Sequence, residues 1–308
     1  MIQDIAPSRL INRFEHGEPS RQSTVMCFRE NALLVSYDKT RQALVFPCYA
    51  EFPADTDAVY LFRVDDREFF LVPDDAPVPD GYVFKDMRAI RRLPLAKNTE
   101  IFAAYSAYHL WKWYGASRYC GCCGGRTEHD TAERAMYCPA CGNKIYPRIN
   151  PAVIIGVTNG DKLLLTKYRT GFAHNALVAG FTEFGETLEQ TVEREVMEEV
   201  GLRVKNIRYY KSQPWGVAAD ILAGFYCQVD GDDTIRMDAS ELKYAEWVRR
   251  EDIVLQPNDY SLTNEMMRVF KEGLGIREQG LRVSPSDVIL TAVKRSGEPA
   301  LSEVEGDL

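Results

Sequence analysis

The 308-residue sequence predicts a mixed α/β (α+β) protein: a β-rich N-terminal domain, a small metal-binding element, then a mixed sheet with helices. Three observations predict this. Short β-branched and aromatic runs, separated by turn clusters, fill the first 97 residues. Two C-x2-C pairs follow within 22 residues. Beyond them, two apolar runs flank Asn159-Gly160, a strong hairpin signal, and a glutamate-rich helical stretch comes next.

In chain order, the runs TVMCF, ALLVSY, QALVFP, AVYLFRV and EFFLV are expected strands of a domain over 1-97, with no recognisable catalytic constellation. The basic cluster Lys85, Arg88, Arg91, Arg92 and Lys97 reads as a solvated face. Residues 98-115 carry a helical apolar repeat through Ile101, Tyr105, Tyr108 and Trp111; His109 on that helix reads as an ordinary histidine. This helix and the cysteine segment make a second unit over 98-146. A third covers 147-277, with strands in PAVIIGVT, KLLLTKY and ALVAGF, then at 203-211, 221-229 and 243-248, and a last helix at 261-273. The polar tail, 278-308, is expected to be poorly ordered.

Composition narrows the function classes. The chain is 45% hydrophobic and 27% charged, as globular proteins are, with no low-complexity tract or internal repeat. A net charge of -8 argues against an extended nucleic-acid surface. No basic-then-apolar leader pattern opens the sequence, and no apolar run has bilayer-spanning length, so a cytoplasmic protein with no membrane partner is expected.

Of eight cysteines, Cys27, Cys48 and Cys227 are isolated and expected to be buried free thiols. Cys120, Cys123, Cys138 and Cys141 pair as C-x2-C with fourteen residues between the pairs. Two such turns complete a tetrahedral four-sulfur shell, so a structural zinc is expected. Two disulfides are the alternative, disfavoured in a reducing compartment. Cys122 competes with Cys123 for the first knuckle; the x2 spacing favours Cys123.

The stretch 180-202 holds seven glutamates and one cation, Arg194. A salt-bridged surface helix would place Lys or Arg four residues after Glu. Instead Glu189 meets Glu193, and Glu195 meets Glu199. At helical spacing Glu195, Glu198 and Glu199 share one side, beside the apolar Leu188 and Val192. Converging carboxylates need a hard cation, and Mg²⁺ or Mn²⁺ suits them.

Gly180, Glu186, Arg194, Glu195, Glu198, Glu199 and Gly201 stand at the spacing G-x5-E-x7-R-E-U-x-E-E-x-G-U, with Val196 and Leu202 at the aliphatic positions. This resembles the Nudix box without a departure. The resemblance implies an α/β/α sandwich around a mixed sheet, and hydrolysis of a nucleoside diphosphate linked to another moiety. It implies Glu195, Glu198 and Glu199 as metal ligands and catalytic residues, with Glu199 the candidate general base, although family members differ in which glutamate serves. It adds the carbonyl of Ala179 as a ligand. On the residues themselves, Gly180 is expected to let the strand leave into a tight loop, Glu186 and Arg194 to pair, and Gly201 to end the helix in the left-handed conformation.

The zinc knuckles ahead of the box, SQPW at 212-215 and the β-rich N-terminus resemble the NADH pyrophosphatase branch. That resemblance implies Glu241 as a further metal ligand. It implies Gln213, Pro214, Trp215 and the position of Asp220 as pocket wall, with Glu133 and Tyr146 reaching substrate from the zinc side. Phe181 is placed to stack on a base. The branch motif reads SQPWPFPxS; here SQPWGVAAD departs at Gly216, Val217, Ala218 and Asp220. Asp220 brings a negative charge near a phosphorylated ligand, and restoring the branch residues at 216-220 is expected to lower KM. The implied activity is cleavage of NAD(H) to nicotinamide mononucleotide and AMP, with removal of NAD caps from RNA ranked second because the chain is acidic. Another dinucleotide or nucleoside-diphosphate derivative, such as ADP-ribose or FAD, is the enzyme alternative. A zinc-ribbon nucleotide sensor is the non-enzyme alternative. A homodimer is implied by the resemblance alone.

Overall fold

The computed structural model describes residues 1-15, 17-169 and 174-273. The tail expected to be poorly ordered, 278-308, lies outside the described residues.

Alternating apolar residues organise the N-terminal region around two small sheets. Strands β1 (Leu10–Ile11), β2 (Thr24–Met26), β3 (Phe28–Arg29), β4 (Ala32–Asp38), β5 (Ala43–Val45), β6 (Val59–Val64), β7 (Arg67–Leu71) and β8 (Val83–Asp86) match the five expected runs and add two. One sheet runs β1-β6-β7-β2; the other runs β3-β4-β5, with β8 against β4. Period-2 alternation sends Met26, Phe28, Leu33 and Val35 into one core, and Val25, Cys27 and Leu34 into another. After the one-turn helix α1 (Met87–Ile90) comes α2 (Thr99–Ala116). Its residues Ile101, Phe102, Tyr105 and Tyr108 are buried in the larger N-terminal core, so α2 packs on the β-rich region while leading into the cysteine segment. His109 accepts no ligand role: its Nε2 lies 2.8 Å from the carbonyl of Arg148.

The cysteine segment carries a small antiparallel sheet of β9 (Glu128–His129), β10 (Met136–Tyr137) and β11 (Lys144–Ile145). Then comes a six-stranded sheet. Its strands are β12 (Asn150–Asn159), β13 (Lys162–Tyr168), β14 (Val178–Phe181), β15 (Val204–Trp215), β16 (Asp220–Val229) and β17 (Leu242–Arg249), with helices α3 (Leu188–Val200) and α4 (Leu262–Glu272). The order is β15-β16-β12-β13-β17, with β14 also on β12; β12 and β16 are parallel and the other pairs antiparallel. The Asn159-Gly160 hairpin joins β12 to β13 as expected, with Gly160 at φ 61°.

The sheet is buried on both faces. Val153, Ile155 and Val157 pack with Val192, Val196 and Val200 of α3. Ile154, Leu163 and Leu165 pack with Leu262, Met266 and Phe270 of α4. This is the expected α/β/α sandwich. The strand expected at 203-211 runs on to Trp215, because β15 continues through Ser212 and Gln213 as the partner of β16. Cys27 and Cys227 are buried, and burial pushes their thiols up to about 11 and about 12. Cys48 departs from expectation and is half-buried.

Candidate active site

Helix α3 begins with a capping box: Thr187 accepts from the Gln190 amide, and Gln190 accepts from the Thr187 amide. It ends at Gly201, left-handed at φ 68°, whose amide donates to Met197. The valines anchor one stripe of the helix in the core, and the glutamates are therefore turned to a fixed edge. Glu199 is 3% exposed and Glu195 nearly buried, while Glu198 is exposed.

Arg194 holds this edge together. It donates to Glu186 at 2.6 and 3.0 Å, to Glu195 at 2.8 Å, to Glu198 at 3.0 Å and to the Phe181 carbonyl at 2.9 Å. The expected Glu186–Arg194 pair is thus present and ties the β14–α3 loop to the helix. Hydrogen bonds from Arg194 and the Glu183 amide hold the Glu186 carboxyl down at about 2. One guanidinium offsets part of the repulsion that the sequence spacing implied.

Glu199 has no such partner. Tyr168 of β13 donates toward its Oε1 at 3.3 Å, and the same hydroxyl lies 3.5 Å from the Ala179 carbonyl. Oε2 is buried with no hydrogen-bond partner. Burial first, then the charges of Glu195 and Glu241, push the Glu199 carboxyl up to about 8. Glu195 is raised too, by burial above all. Glu241 is exposed on the loop before β17, and its charge adds to the upward push on both Glu195 and Glu199. Tyr168 carried no signal in the sequence; only the register of β13 places it here.

Gly180 has a different reason from the one expected. It sits inside the β12–β14 ladder opposite Val153, not at a turn. A Cβ there would stand 1.9 Å from the Glu195 carboxylate. The glycine leaves room for a carboxylate. Gly180→Ala is therefore expected to displace Glu195 by more than 1 Å and cut kcat roughly 10²-fold, since misplacement on that scale costs about that much. Steady-state kinetics with an unchanged circular dichroism spectrum would check it; activity near wild type would remove Glu195 from the site. A buried carboxylate oxygen without a donor, neighbouring carboxylates and a glycine reserved for their room together fit an oxygen-bound divalent cation.

The SQPW residues lie at the far end of β15. Gln213 is fully buried and its amide is engaged within the protein: Nε2 donates to the Tyr260 carbonyl at 2.6 Å and to Gln3 at 3.2 Å, and Oε1 accepts from the Leu262 amide at 2.7 Å. Pro214 is exposed in the strand. Trp215 packs on Tyr105 and under the guanidinium of Arg91, 4.9 Å from its ring centre. It borders a groove of about 340 Å³ shared with Arg88, Arg91, Arg92 and His174. Three members of the basic cluster read as a solvated face therefore stand at this groove. The sequence reading missed them because α1 and β15 meet only through the tertiary fold.

Asp220 pairs in register with both Asn150 and Trp215 and is buried, one carboxylate oxygen lacking a partner. Burial pushes its carboxyl up to about 6. Because the folded value lies above the ordinary one, the folded state loses stability as pH rises from about 4 through about 6. Asp220→Asn is expected to gain about 2 kcal/mol over wild type on going from pH 4 to pH 8, measured by denaturant unfolding. A constant difference across that range would contradict the burial account. Gly216 also corrects an expectation. A Cβ there would meet the Tyr105 carbonyl oxygen at 2.2 Å, so restoring the branch proline at 216 would collide with α2. Asp220→Ser is the usable test of this wall.

Phe181, the last residue of β14, is 52% exposed beside the carboxylates, and Phe184 on the loop that follows is 97% exposed. On the zinc side, Glu133 and Tyr146 meet: the tyrosine hydroxyl donates to Glu133 at 2.9 Å, and Lys144 bridges Glu133 and Asp130 at 2.7 and 2.9 Å. Among the described residues no hydrogen bond or ion pair joins this pair to α3.

The four expected cysteines converge. Sγ–Sγ separations are 3.6 Å for Cys120–Cys141 and 3.5 Å for Cys123–Cys138, and all four sulfurs lie within 4.8 Å of one another. A zinc tetrahedron with ~2.3 Å bonds has edges of about 3.8 Å, so the set fits. Cys122 lies outside it, exposed, which settles the first knuckle in favour of Cys123. Backbone amides of Cys123 and Cys122 hold the Cys120 thiol down at about 6.

The NUDIX domain model matches residues 148–270, and the NADH pyrophosphatase zinc ribbon domain model matches residues 116–146. The chain is 42% identical over 151 residues to the NAD-capped RNA hydrolase NudC of Shigella flexneri, across 48% of this chain and 58% of that one. It is 38% identical over 176 residues to the NAD-capped RNA hydrolase NudC of Escherichia fergusonii, across 56% of this chain and 67% of that one. The chain thus spans little more than half the length of several of the relatives it matches. Among solved structures, a NUDIX hydrolase from Nitrosomonas europaea matches with TM-score 0.45 and 23% identity, covering 50% of this chain and 91% of that one. No described helix is long and apolar enough to cross a membrane. The chain belongs to the Nudix family, in the branch that carries the NADH pyrophosphatase zinc ribbon.

Proposed function

We propose that this protein hydrolyses the pyrophosphate of NAD(H), giving nicotinamide mononucleotide and AMP, and removes NAD caps from RNA by the same chemistry. The observation that carries this reading is the buried, donorless Oε2 of Glu199 within the carboxylate edge of α3. The two named relatives support the substrate class.

In this reading Glu195, Glu198, Glu199, Glu241 and the Ala179 carbonyl hold Mg²⁺ or Mn²⁺. Such an ion neutralises pyrophosphate charge and acidifies water when bound. The protein's own groups do the rest. Arg194 fixes Glu195 and Glu198, and the Tyr168 hydroxyl fixes Oε1 of Glu199. With Oε1 held by Tyr168, Glu199 presents Oε2 to the side where the ion and the attacking water would sit, and its carboxylate is the candidate acceptor of the water's proton. Water adds to one phosphorus, the bond from that phosphorus to the bridging oxygen breaks, and two mononucleotides leave. Phe181 stacks on a base. The groove between Trp215 and Arg88, Arg91 and Arg92 supplies cations for the phosphates of a dinucleotide or a capped RNA. This local positive face supports decapping despite the overall charge of -8.

The zinc is structural in this reading, since all four positions of its shell are protein sulfurs. It sets the ribbon that carries Glu133 and Tyr146. Because no hydrogen bond or ion pair joins this pair to α3 among the described residues, a homodimer in which it serves the partner's site is part of the proposal, and the proposed place of action is the cytoplasm.

The test is product chromatography with NADH, NAD⁺, ADP-ribose, FAD and NAD-capped RNA under Mg²⁺ and Mn²⁺. Mononucleotides from NADH or capped RNA at the highest kcat/KM support the reading. Preference for ADP-ribose or FAD would transfer the assignment to that substrate, as the altered 216-220 wall allows. Binding without turnover of any of the five would indicate a nucleotide sensor. If the NADH reading holds, Asp220→Ser is expected to lower KM with little change in kcat, the signature of recovered uniform binding.

A further inference from the structure

A second cavity lies away from α3, between the N-terminal sheet and the zinc ribbon. Its volume is about 450 Å³, within the range of small-molecule sites. None of its lining residues belongs to the carboxylate edge or to the Trp215 groove. The floor is apolar: Leu71, Val72 and Met136 are buried there. Trp111 and Tyr114 of α2 form an aromatic wall. Trp111 is fixed by stacking on Phe28, with centroids 5.2 Å apart, and Tyr114 by contact with His129 at 5.0 Å.

The rim carries charges that the fold does not use. Arg118 and Arg126 stand on the first knuckle, and Asp57 and Asp74 on the N-terminal domain. The Tyr119–Arg126 bridge and the Thr127 amide, which donates to the Arg118 carbonyl at 3.1 Å, fix the two arginine backbones side by side. Among the described residues, neither guanidinium makes an ion pair or a side-chain hydrogen bond, and neither aspartate is within ion-pairing distance of them or of another cation. Two cations on one side, two acceptors on the other and an aromatic, apolar body between them make a pattern with a definite complement.

We infer that this cavity is a binding site for a nucleoside 5′-monophosphate. The phosphate meets Arg118 and Arg126, the base lies along Trp111 and Tyr114, and the ribose hydroxyls or an exocyclic amine donate to Asp57 and Asp74. Each part of the ligand answers a feature of the wall: guanidinium pairs with phosphate, aromatic face with base, and carboxylate with donor. A free phosphate leaves the aromatic wall and the aspartates unused, and a nucleoside leaves the arginines unpaired. The site stands apart from the proposed catalytic chemistry and does not require it.

The test is equilibrium dialysis of AMP and of nicotinamide mononucleotide against the full-length, zinc-loaded protein, with adenosine and inorganic phosphate as control probes. The Arg118→Ala/Arg126→Ala double variant should lose one binding component, with affinity for the mononucleotide falling roughly tenfold or more for each charged contact removed. The Arg118→Lys/Arg126→Lys variant should recover part of it and guards against loss through misfolding, as do unchanged zinc content and melting temperature. A mononucleotide bound at the α3 site survives in both variants, so failure of the catalytic reading removes a different component. Binding of AMP alone or of nicotinamide mononucleotide alone names the ligand within the class. The inference is overturned if the double variant binds as wild type does, if wild type binds neither mononucleotide, or if phosphate alone binds as tightly.

Discussion

Glu199→Gln is expected to abolish most of the activity while leaving the protein folded. The carboxylate is 3% exposed and one of its oxygens has no donor, so its charge is not there for packing. Removing a ligand that is also the proposed proton acceptor should lower kcat by roughly 10³-fold, within the range seen for loss of a general base or a charge-stabilising group. Folding should not suffer. Glutamine keeps the shape and the acceptor for the Tyr168 hydroxyl, and it removes the need to bury a charge beside Glu195 and Glu241. The melting temperature of the metal-free variant should match or exceed wild type. Steady-state kinetics with Mg²⁺, read beside thermal unfolding, checks both halves. Near-normal turnover in the folded variant would take Glu199 out of the mechanism.

Cys138→Ser is expected to cause the largest loss of stability. Its sulfur is fully buried, 3.5 Å from Cys123, and closes the four-sulfur cluster. Serine is a poor zinc ligand, and a structural zinc contributes folding free energy outright. The variant should contain much less than one zinc per chain and melt roughly 10 °C or more below wild type. Well below its melting transition it should keep kcat within a few-fold, because none of the four cluster cysteines has a hydrogen bond to the α3 carboxylates among the described residues. Its KM should rise, because the ribbon carries Glu133 and Tyr146. Elemental analysis showing no zinc in unoxidised wild-type protein would defeat this account.

The parts legible in the sequence were those fixed by local spacing. The glycine stop of α3, the Glu186–Arg194 pair and the four sulfurs are all set by short, fixed intervals along the chain, whereas the Thr187–Gln190 capping box, equally local, was not read from the sequence. The sandwich came from the resemblance of the glutamate stretch to the Nudix box; the run PAVIIGV gave only a strand, and β12, buried along most of its length, agrees with both. What else was not legible depends on chain segments far apart. Tyr168 reaches Glu199 across 31 residues, and Arg91 reaches Trp215 across more than a hundred. The roles of Gly180 and Gly216 were hidden for the same cause. Each glycine is required by a neighbour, the Glu195 carboxylate in one case and the Tyr105 carbonyl in the other, and not by its own backbone angles. Gln213 shows the converse. It was read as pocket wall from its motif, yet its amide is wholly engaged in joining β15 to the N-terminal end of α4 and to Gln3.

The central claim is that the α3 carboxylate edge directs water to a dinucleotide pyrophosphate. The most direct measurement is mass spectrometry of the products of NADH incubated with wild-type protein and Mn²⁺ in ¹⁸O-labelled water. The account predicts equal amounts of reduced nicotinamide mononucleotide and AMP, a single ¹⁸O in the phosphate of one of the two, and both products formed roughly 10³-fold more slowly with Glu199→Gln. Intact NADH, release of free nicotinamide, or the same products at the same rate from Glu199→Gln would contradict it.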